Sequence, residues 1–448
     1  MKKVITYGTY DLLHQGHINL LKRAKALGDY LIVGVTNDNF DRDRGKLNVK
    51  NNVLERVEAV RATGLADKII IEDYVGQKID DIQKYDVDIF TVGSDWVGKF
   101  DYLNEYCQVV YLPRTEGISS TMLREQQDKE TRIGIVGAGR IAQRFPKEAD
   151  VVSGIKVAGV YDIDGERGKA FAAQHDLPTA FGSFEQLVEE VDAVYIATPH
   201  LAHYGQTHYA LDHGRHVLCE TPMTLDGEQA KELFAIAKEK GLVLMEANKT
   251  AHCPAFNHLV TIIKSGLIGD VVDVEASESK VWGDPTLREL DPKQAGGSFF
   301  ELGSYVLLPI IRLLGTEVED IQFFSKMENG IDIFTKGILR FSKATGSFKV
   351  GLGVKTEGNL VISGTKGYAY VPAPWWKTDF FELRYENQNN NKKYFYSWNG
   401  EGLRYEIQEF MACIYNHRLK TARLRHSESV FMAHAMQQFK AGSNVNII

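Results

Sequence analysis

The stretch Thr131-Arg-Ile-Gly-Ile-Val-Gly-Ala-Gly-Arg-Ile-Ala142 decides the fold. Ile133 to Val136 is a short apolar run, as expected of a strand buried on both faces. Gly137-Ala-Gly139-Arg-Ile-Ala142 follows at once and reads G-x-G-x-x-A, a glycine turn leading into a helix. Ile155 to Tyr161 reads as a second strand and ends at Asp162, 25 residues past Gly137. An acid there suits the ribose hydroxyls of a dinucleotide and disfavours a 2′-phosphate. The expectation is therefore a cofactor site for NAD(H), with NADP(H) less favoured. Gly137, Gly139, Arg140, Ile141 and Asp162 would line it, and Arg167 lies close by in sequence. Such a unit normally opens a domain, yet this one begins more than 130 residues in. A complete unit is expected before it, joined through the polar stretch 124–131. The boundaries read as 1–126, a linker 127–131, a dinucleotide-binding part 132–250 and a last part 251–448.

Upstream, strand and helix patterns alternate. Lys3 to Tyr7, Asp29 to Val35, Lys68 to Ile71, Asp88 to Val92 and Gln108 to Leu112 read as strands. Gly16 to Leu27, Val53 to Ala62 and Ile79 to Tyr85 read as helices. This predicts a small doubly wound α/β domain with its ligand at the carboxyl ends of the strands. Four polar stretches fall at those ends. Gly8-Thr9-Tyr-Asp11 and His14-Gln-Gly16-His17 put two imidazoles and free N–H groups at a helix start, an anion site. Arg44-Gly-Lys46 lies in a polar loop, with Arg56 on the helix after it. Gly93-Ser-Asp95-Trp96 follows the fourth strand. Arg114-Thr115-Glu-Gly117-Ile118-Ser119-Ser-Thr121 follows the fifth, offering hydroxyls, N–H groups and a cation.

Across about residues 1–126 the chain resembles the glycerol-3-phosphate cytidylyltransferases of the nucleotidyltransferase superfamily. The H-x-G-H and R-T-E-G-I-S-S-T elements carry the resemblance, with Gly93-Ser-Asp95-Trp96 in place of a Gly-Asp-Asp-Trp element. It implies that His14 and His17 stabilise charge on the α-phosphorus and that Lys46 holds phosphates. Gly8, Thr9, Asp11 and Gly16 would line the nucleotide pocket. Arg114, Thr115, Gly117, Ile118, Ser119 and Thr121 would hold cytidine and triphosphate, and Asp95 and Trp96 the acceptor. Ser94 departs from the pattern, which bears on nucleotide or acceptor fit. CTP with Mg²⁺ is the implied substrate, ATP the weaker alternative, and the metal ligands are not assigned.

Downstream, Ala197-Thr198-Pro199-His200 with His203, then Glu220-Thr221-Pro222, then Glu246-Ala-Asn-Lys249 each follow a strand. Over roughly 131–448 this order resembles the glucose–fructose oxidoreductase/inositol dehydrogenase (Gfo/Idh/MocA) family. Thr198, Pro199, His200, His203 and Glu220 would then face the cofactor. The lysine of the family's E-K-P element is here Thr221. Three readings stay open: Lys249 supplies the missing ammonium; Tyr305, in Gly296-Gly-Ser-Phe-Phe-Glu-Leu-Gly-Ser-Tyr305, donates the proton; or a dinucleotide binds without turnover. From Asp270 onward alternating segments predict an open, mostly antiparallel sheet for substrate and oligomer contacts, closed by helices over Glu406 to Tyr415 and Ser427 to Phe439. Trp375-Trp376 reads as packing.

The two resemblances together imply a reductase that turns a sugar phosphate into a polyol phosphate, and a cytidylyltransferase that activates it as a CDP-polyol for teichoic-acid-like or capsular polymers. The net charge of −7 and the lack of a long basic run argue against nucleic-acid partners. The chain has no 18-residue apolar run for membrane insertion. Four scattered cysteines without a C-x-x-C pair fit reduced thiols and a cytoplasmic setting. A homo-oligomer is expected.

Overall fold

A computed structural model describes residues 1–37, 49, 51, 53–73, 76–113, 130–282, 284, 286–442 and 444–448. Lys46 and all six nucleotide-site residues expected between Arg114 and Thr121 lie outside them. The chain divides into two units, Met1–Glu130 and Thr131–Ile448.

The first unit is a parallel five-stranded sheet. Its strands are β1 (Lys3–Gly8), β2 (Tyr30–Thr36), β3 (Lys68–Glu72), β4 (Ile89–Gly93) and β5 (Gln108–Leu112), in the order β3-β2-β1-β4-β5. Helices α1 (Gln15–Lys25), α2 (Val53–Ala62) and α3 (Gln77–Tyr85) connect them. Val4, Ile5, Leu31, Val33 and Phe90 are buried, so the strands are apolar on both faces, as parallel strands under helices must be. α1 buries Leu21 and Ala24 and carries Lys22, Arg23 and Lys25 in its last turn, where they suit the helix dipole. Strand order reverses between β1 and β4, and the exits of these two strands define the crevice.

The second unit opens with another parallel sheet: β6 (Thr131–Val136), β7 (Ile155–Tyr161), β8 (Ala193–Ile196), β9 (His216–Glu220) and β10 (Leu244–Ala247), ordered β10-β9-β8-β6-β7. β6 takes in Thr131, the last residue of the stretch read as linker. The helix expected straight after the glycine turn is interrupted. A single 3₁₀ turn, Ala142–Arg144, precedes the short α4 (Phe145–Ala149), which has Pro146 in its first turn, where a missing N–H costs nothing. Then come α5 (Gly165–Gln174), α6 (Phe184–Glu190), α7 (His200–Asp212), α8 (Gly227–Glu239), α9 (Lys249–His252) and α10 (Pro254–Lys264). The strand order reverses between β6 and β8, so Gly137 and Ala197 leave the sheet side by side.

The rest forms a nine-stranded sheet. Six strands fall where alternation places them: β11 (Val271–Ser279), β12 (Asp320–Glu328), β13 (Ile331–Arg340), β14 (Thr345–Gly351), β15 (Leu360–Gly364) and β16 (Tyr368–Val371). Three more, β17 (Phe380–Arg384), β18 (Lys392–Phe395) and β19 (Val445–Ile447), were not legible. Most pairs are antiparallel; β11 with β14 and β12 with β19 are parallel. α11 (Ser298–Leu314) packs its Phe299, Val306, Leu307 and Ile310 into this sheet's core. α12 (Leu403–Tyr415) and α13 (His426–Ala441) close the unit. Leu403, Ile407 and Phe410 of α12 reach back into the core of the parallel sheet. Trp375 is fully buried and donates from Nε1 to the Ser277 carbonyl, the packing role expected of it. No helix among the described residues is long and apolar enough to cross a membrane. All four cysteines are free thiols.

Candidate functional site

In the first unit, β1 ends at Gly8 and the chain turns sharply. Tyr10 and Leu12 both take positive φ, +54° and +46°, a conformation bulky residues adopt only where the surroundings impose it. Arg56 anchors this loop. It is fully buried, donates to the Thr9 carbonyl (2.8 Å) and the Asn51 carbonyl (3.0 Å), and so staples the exit loop to α2. Arg56 is thus a core cation on that helix. Asp11 is buried as well and accepts from the Asn51 N–H at 3.0 Å.

The loop delivers His14 to the N-cap of α1. Its Nδ1 accepts from the Gly16 N–H (3.1 Å), so a neutral ring carries its proton on Nε2. The His14 and His17 rings stack with centroids 3.9 Å apart, and Tyr10 meets His17 edge-on at 5.5 Å. Two imidazoles thus sit over a helix N-terminus, at the reversal of strand order. Asp95 and Trp96 lie in a 3₁₀ turn directly after β4, the neighbour of β1, at the same end of the sheet. Asp95 is exposed; Lys99 lies 5.1 Å over the Trp96 ring. Gly8, Thr9, Asp11, His14, Gly16, His17, Asp95 and Trp96 therefore share one end.

In the second unit, Gly137 has φ +97°, and a Cβ there would stand 2.7 Å from the Ala197 carbonyl oxygen. Glycine is the residue that lets the exits of β6 and β8 touch. Asp162 closes the loop from β7. Its carboxylate accepts from Ala138 N–H (2.7 Å), Asp164 N–H (2.9 Å) and the Arg167 guanidinium (2.7 and 3.1 Å). Burial opposes its ionisation, but these donors outweigh it and hold Asp162 below the usual carboxylate range. A glycine turn beside a buried acid is the arrangement expected of a dinucleotide site, with phosphates at the turn and ribose at the acid. Arg140 instead reaches outward to Glu289, 3.0 Å away.

Past β8, Thr198 donates its hydroxyl to Gln206 (2.6 Å) and Pro199 caps α7. His203 lies between two carbonyl oxygens, Pro222 (2.8 Å from Nδ1) and Thr198 (2.8 Å from Nε2). A neutral ring donates to one at a time, and burial keeps it neutral. His203 therefore ties two strand exits together. His200 approaches Glu301 at 3.6 Å, and Glu301 in turn holds Arg288 at 3.0 and 3.3 Å.

The centre of the unit is a buried set of ionisable groups. Glu220, at the end of β9, accepts from the buried Tyr195 hydroxyl. Thr221 turns away and donates to Glu246 Oε1 at 2.7 Å, which also accepts from Met223 N–H at 3.1 Å. Lys249, at the start of α9, is buried rather than on the surface. Burial depresses its ammonium; Glu406 and Glu220 push the other way. Burial also raises Glu406 well above the carboxylate range, Glu220 adds to this, and Lys249 opposes it. Glu278, at the end of β11, is pushed to about 8 by burial against the pull of Lys249 and Lys280. Tyr305, half-buried on α11, is held protonated by desolvation and by Glu220, Glu278 and Glu406. Glu220 thus acts electrostatically on both Lys249 and Tyr305. Glu278 and Glu406 were not legible as members: Glu406 reads as one residue of a closing helix, and Glu278 as one polar position in an alternating strand. The one signal was the run Ser277-Glu-Ser-Lys280, where alternation stops and every residue up to Ser279 is buried.

A cytidylyltransferase-like family model matches residues 5–126. The oxidoreductase family with an NAD-binding Rossmann fold, GFO/IDH/MocA, matches 131–248, and its C-terminal domain matches 256–370. Glycerol-3-phosphate cytidylyltransferase of Bacillus spizizenii is 52% identical over 125 residues, covering 28% of this chain and 96% of the relative. Trans-1,2-dihydrobenzene-1,2-diol dehydrogenase of Sus scrofa is 30% identical over 327 residues, covering 70% of this chain and 97% of the relative. Among solved structures, the 3-ketoreductase KijD10 of Actinomadura kijaniata, in complex with NADP and TDP-benzene, has a TM-score of 0.64 at 21% identity, covering 71% of this chain and 99% of that one. The chain is an enzyme that joins a member of the cytidylyltransferase-like family, up to about residue 126, to a member of the GFO/IDH/MocA oxidoreductase family from residue 131 onward.

Proposed function

We propose that the first unit transfers CMP from CTP to a polyol phosphate, glycerol phosphate or a related one. The stacked His14–His17 pair at the N-terminus of α1 carries this reading. A phosphate oxygen of the acceptor attacks the α-phosphorus of CTP in line; the α–β bridging bond breaks, and pyrophosphate leaves with the electron pair. The protein's task is to position the groups and neutralise charge. In this reading the Nε2–H of His14 and the imidazole of His17 serve the phosphates, and Lys46 and the residues from Arg114 to Thr121 are assigned to the rest of the nucleotide. Among the described residues no cluster of three or more His, Cys, Asp or Glu could hold a metal ion. The Mg²⁺ expected with CTP is read as riding on the triphosphate, its protein ligands unassigned.

The second unit, divided near residue 250 into cofactor and substrate parts, is read as the NAD(P)-dependent supplier of that polyol phosphate from a keto- or aldo-sugar phosphate. Bound dinucleotide supplies the hydride chemistry. Lys249 takes the place of the ammonium that Thr221 lacks, holding the reacting oxygen, and Tyr305 delivers its proton. Glu220 and Glu406 hold Lys249 in position. Asp162 favours NAD(H) over NADP(H). The open nine-stranded sheet supplies the contact face of a homo-oligomer, and the product feeds cytoplasmic synthesis of teichoic-acid-like or capsular polymers.

A second reading, a cytidylyltransferase with a dinucleotide-binding scaffold, is favoured by the Thr221 hydroxyl, which is committed to Glu246. One experiment separates the two. The chain is incubated with CTP, Mg²⁺, NAD(P)H and a panel of sugar phosphates, and products are identified by mass spectrometry. A CDP-polyol formed from a keto-phosphate with consumption of NAD(P)H is expected. NADH binding without any consumption leaves the scaffold.

A further inference from the structure

Around Lys249 the buried groups, the floor, and the more exposed groups, the rim, are of opposite character. The floor is acidic: Glu278 and Glu406 are buried, and each keeps one oxygen, Oε2, with no hydrogen-bond partner among the described residues. A buried carboxyl oxygen left unpaired costs free energy unless something completes it. Sugar hydroxyls, which donate to carboxylates and accept from carboxylic acids, are the matching chemistry.

The rim is basic. Arg144 and Lys377 stand either side of one carboxylate, Glu401, at 3.1 and 3.5 Å. Arg140 and Lys280 both lie over the Trp282 ring, at 4.7 and 4.8 Å from its centroid. The two pairs adjoin: burial, then Arg140 and Arg144, depress the Lys280 ammonium, and Arg144 and Lys377 bear on Lys249. Against these four rim cations stand two acids, Glu401 and Glu289. Arg288 and Glu301 beside them compensate each other. The rim therefore carries an excess of two positive charges, which a phosphate monoester near neutral pH, at about −1.5 to −2, offsets. A sugar carboxylate, at −1, would leave it unbalanced.

We propose that the substrate of the second unit is phosphorylated, with its phosphate on Arg144, Lys280 and Lys377 and its hydroxyls on Glu278 and Glu406. This rests on reading that unit as a polyol dehydrogenase, and it adds which groups recognise the substrate. It also separates the two ends of the ligand: phosphate at the rim, reacting carbon at Lys249.

The test uses the full chain loaded with NADH, whose fluorescence reports on the second unit and not on the CTP site. Polyol phosphates of three to six carbons are titrated, each against its free polyol and against the matching aldonate, with inorganic phosphate as competitor. The expected result is a half-saturation at least about tenfold lower for phosphorylated members, competition by inorganic phosphate against them alone, and loss of the preference in R144A/K280A. K280Q alone, a change at an exposed position, should reduce it partway. Equal titration of phosphorylated and free members, tighter binding of aldonates, no response from any member, or a preference that survives R144A/K280A each overturns the proposal. A clear phosphate preference with no oxidation of any member by NAD(P) would keep this site and remove the dehydrogenase reading instead.

Discussion

Replacing Glu278 with Gln isolates the acidity stored around Lys249. The side chain is 7% exposed, and burial lifts its carboxyl from 4.5 to about 8. The folded chain therefore holds a proton there that the unfolded chain releases near 4.5. Between those two values the unfolded state binds fewer protons, so stability falls as pH rises, and it levels off above about 8. Each pH unit in the window costs about 1.4 kcal/mol, and the full span about 5 kcal/mol if nothing relaxes. Entry of water and relaxation around the carboxyl reduce this, and about 2–4 kcal/mol is expected. Gln cannot titrate and keeps the shape. E278Q should therefore gain stability relative to wild type as pH rises from about 5 to about 8, and no further beyond. Denaturant unfolding followed by tryptophan emission measures it, since four of the five tryptophans lie in the second unit. Wild-type and variant stabilities that run parallel across the window would refute the assignment of the proton to Glu278.

Further outcomes follow from the two sites. His17→Ala should lower CTP-dependent transfer by about a hundredfold or more, the scale for losing a preorganised charge-stabilising donor; near-normal pyrophosphate release would sink the role. Lys249→Met should remove NAD(P)-dependent turnover by a similar factor while NADH titration of the chain changes little; a matching loss of NADH affinity would make Lys249 structural. Asp162→Ala should move the NAD-to-NADP preference toward NADP by about tenfold or more, read from the ratio of kcat/KM values. Arg56→Ala leaves the Thr9 carbonyl without its buried donor and should destabilise the first unit by about 3 kcal/mol, seen as an earlier thermal transition that CTP partly restores.

The parallel sheets were legible because they are written in short apolar runs: Val4-Ile5 and Ile133 to Val136 are buried on both faces wherever they sit. The exits of those strands were legible for the same reason, since a polar cluster after such a run has one place to go. β18 was not: Lys392-Lys-Tyr-Phe395 has no alternation, because an edge strand with both faces near solvent needs none. β19 is three residues long and exists through its pairing with β12. The site in the second unit was half legible. Lys249 and Tyr305 follow recognisable strand and glycine signals. Glu278 and Glu406 depend on which polar residues the packing of α12 and β11 turns inward, and that is a tertiary property. Arg56 fails in the same way: a helical arginine looks solvated until the carbonyls it serves are in place.

The register of β9 and β10 bears on where such a site can carry its ammonium. Cys219 pairs with Glu246 and Glu220 with Ala247, so the exits that carry Thr221 and Lys249 are neighbours. Adjacent strands are about 4.8 Å apart, less than the reach of one lysine. An ammonium mounted on either strand exit could therefore place its charge over the same spot, and an exit without one is free for a structural duty, as Thr221 has with Glu246. Parallel sheets in this light are interchangeable mounting points. The exchange T221K/K249T would ask whether the two exits are interchangeable in this chain.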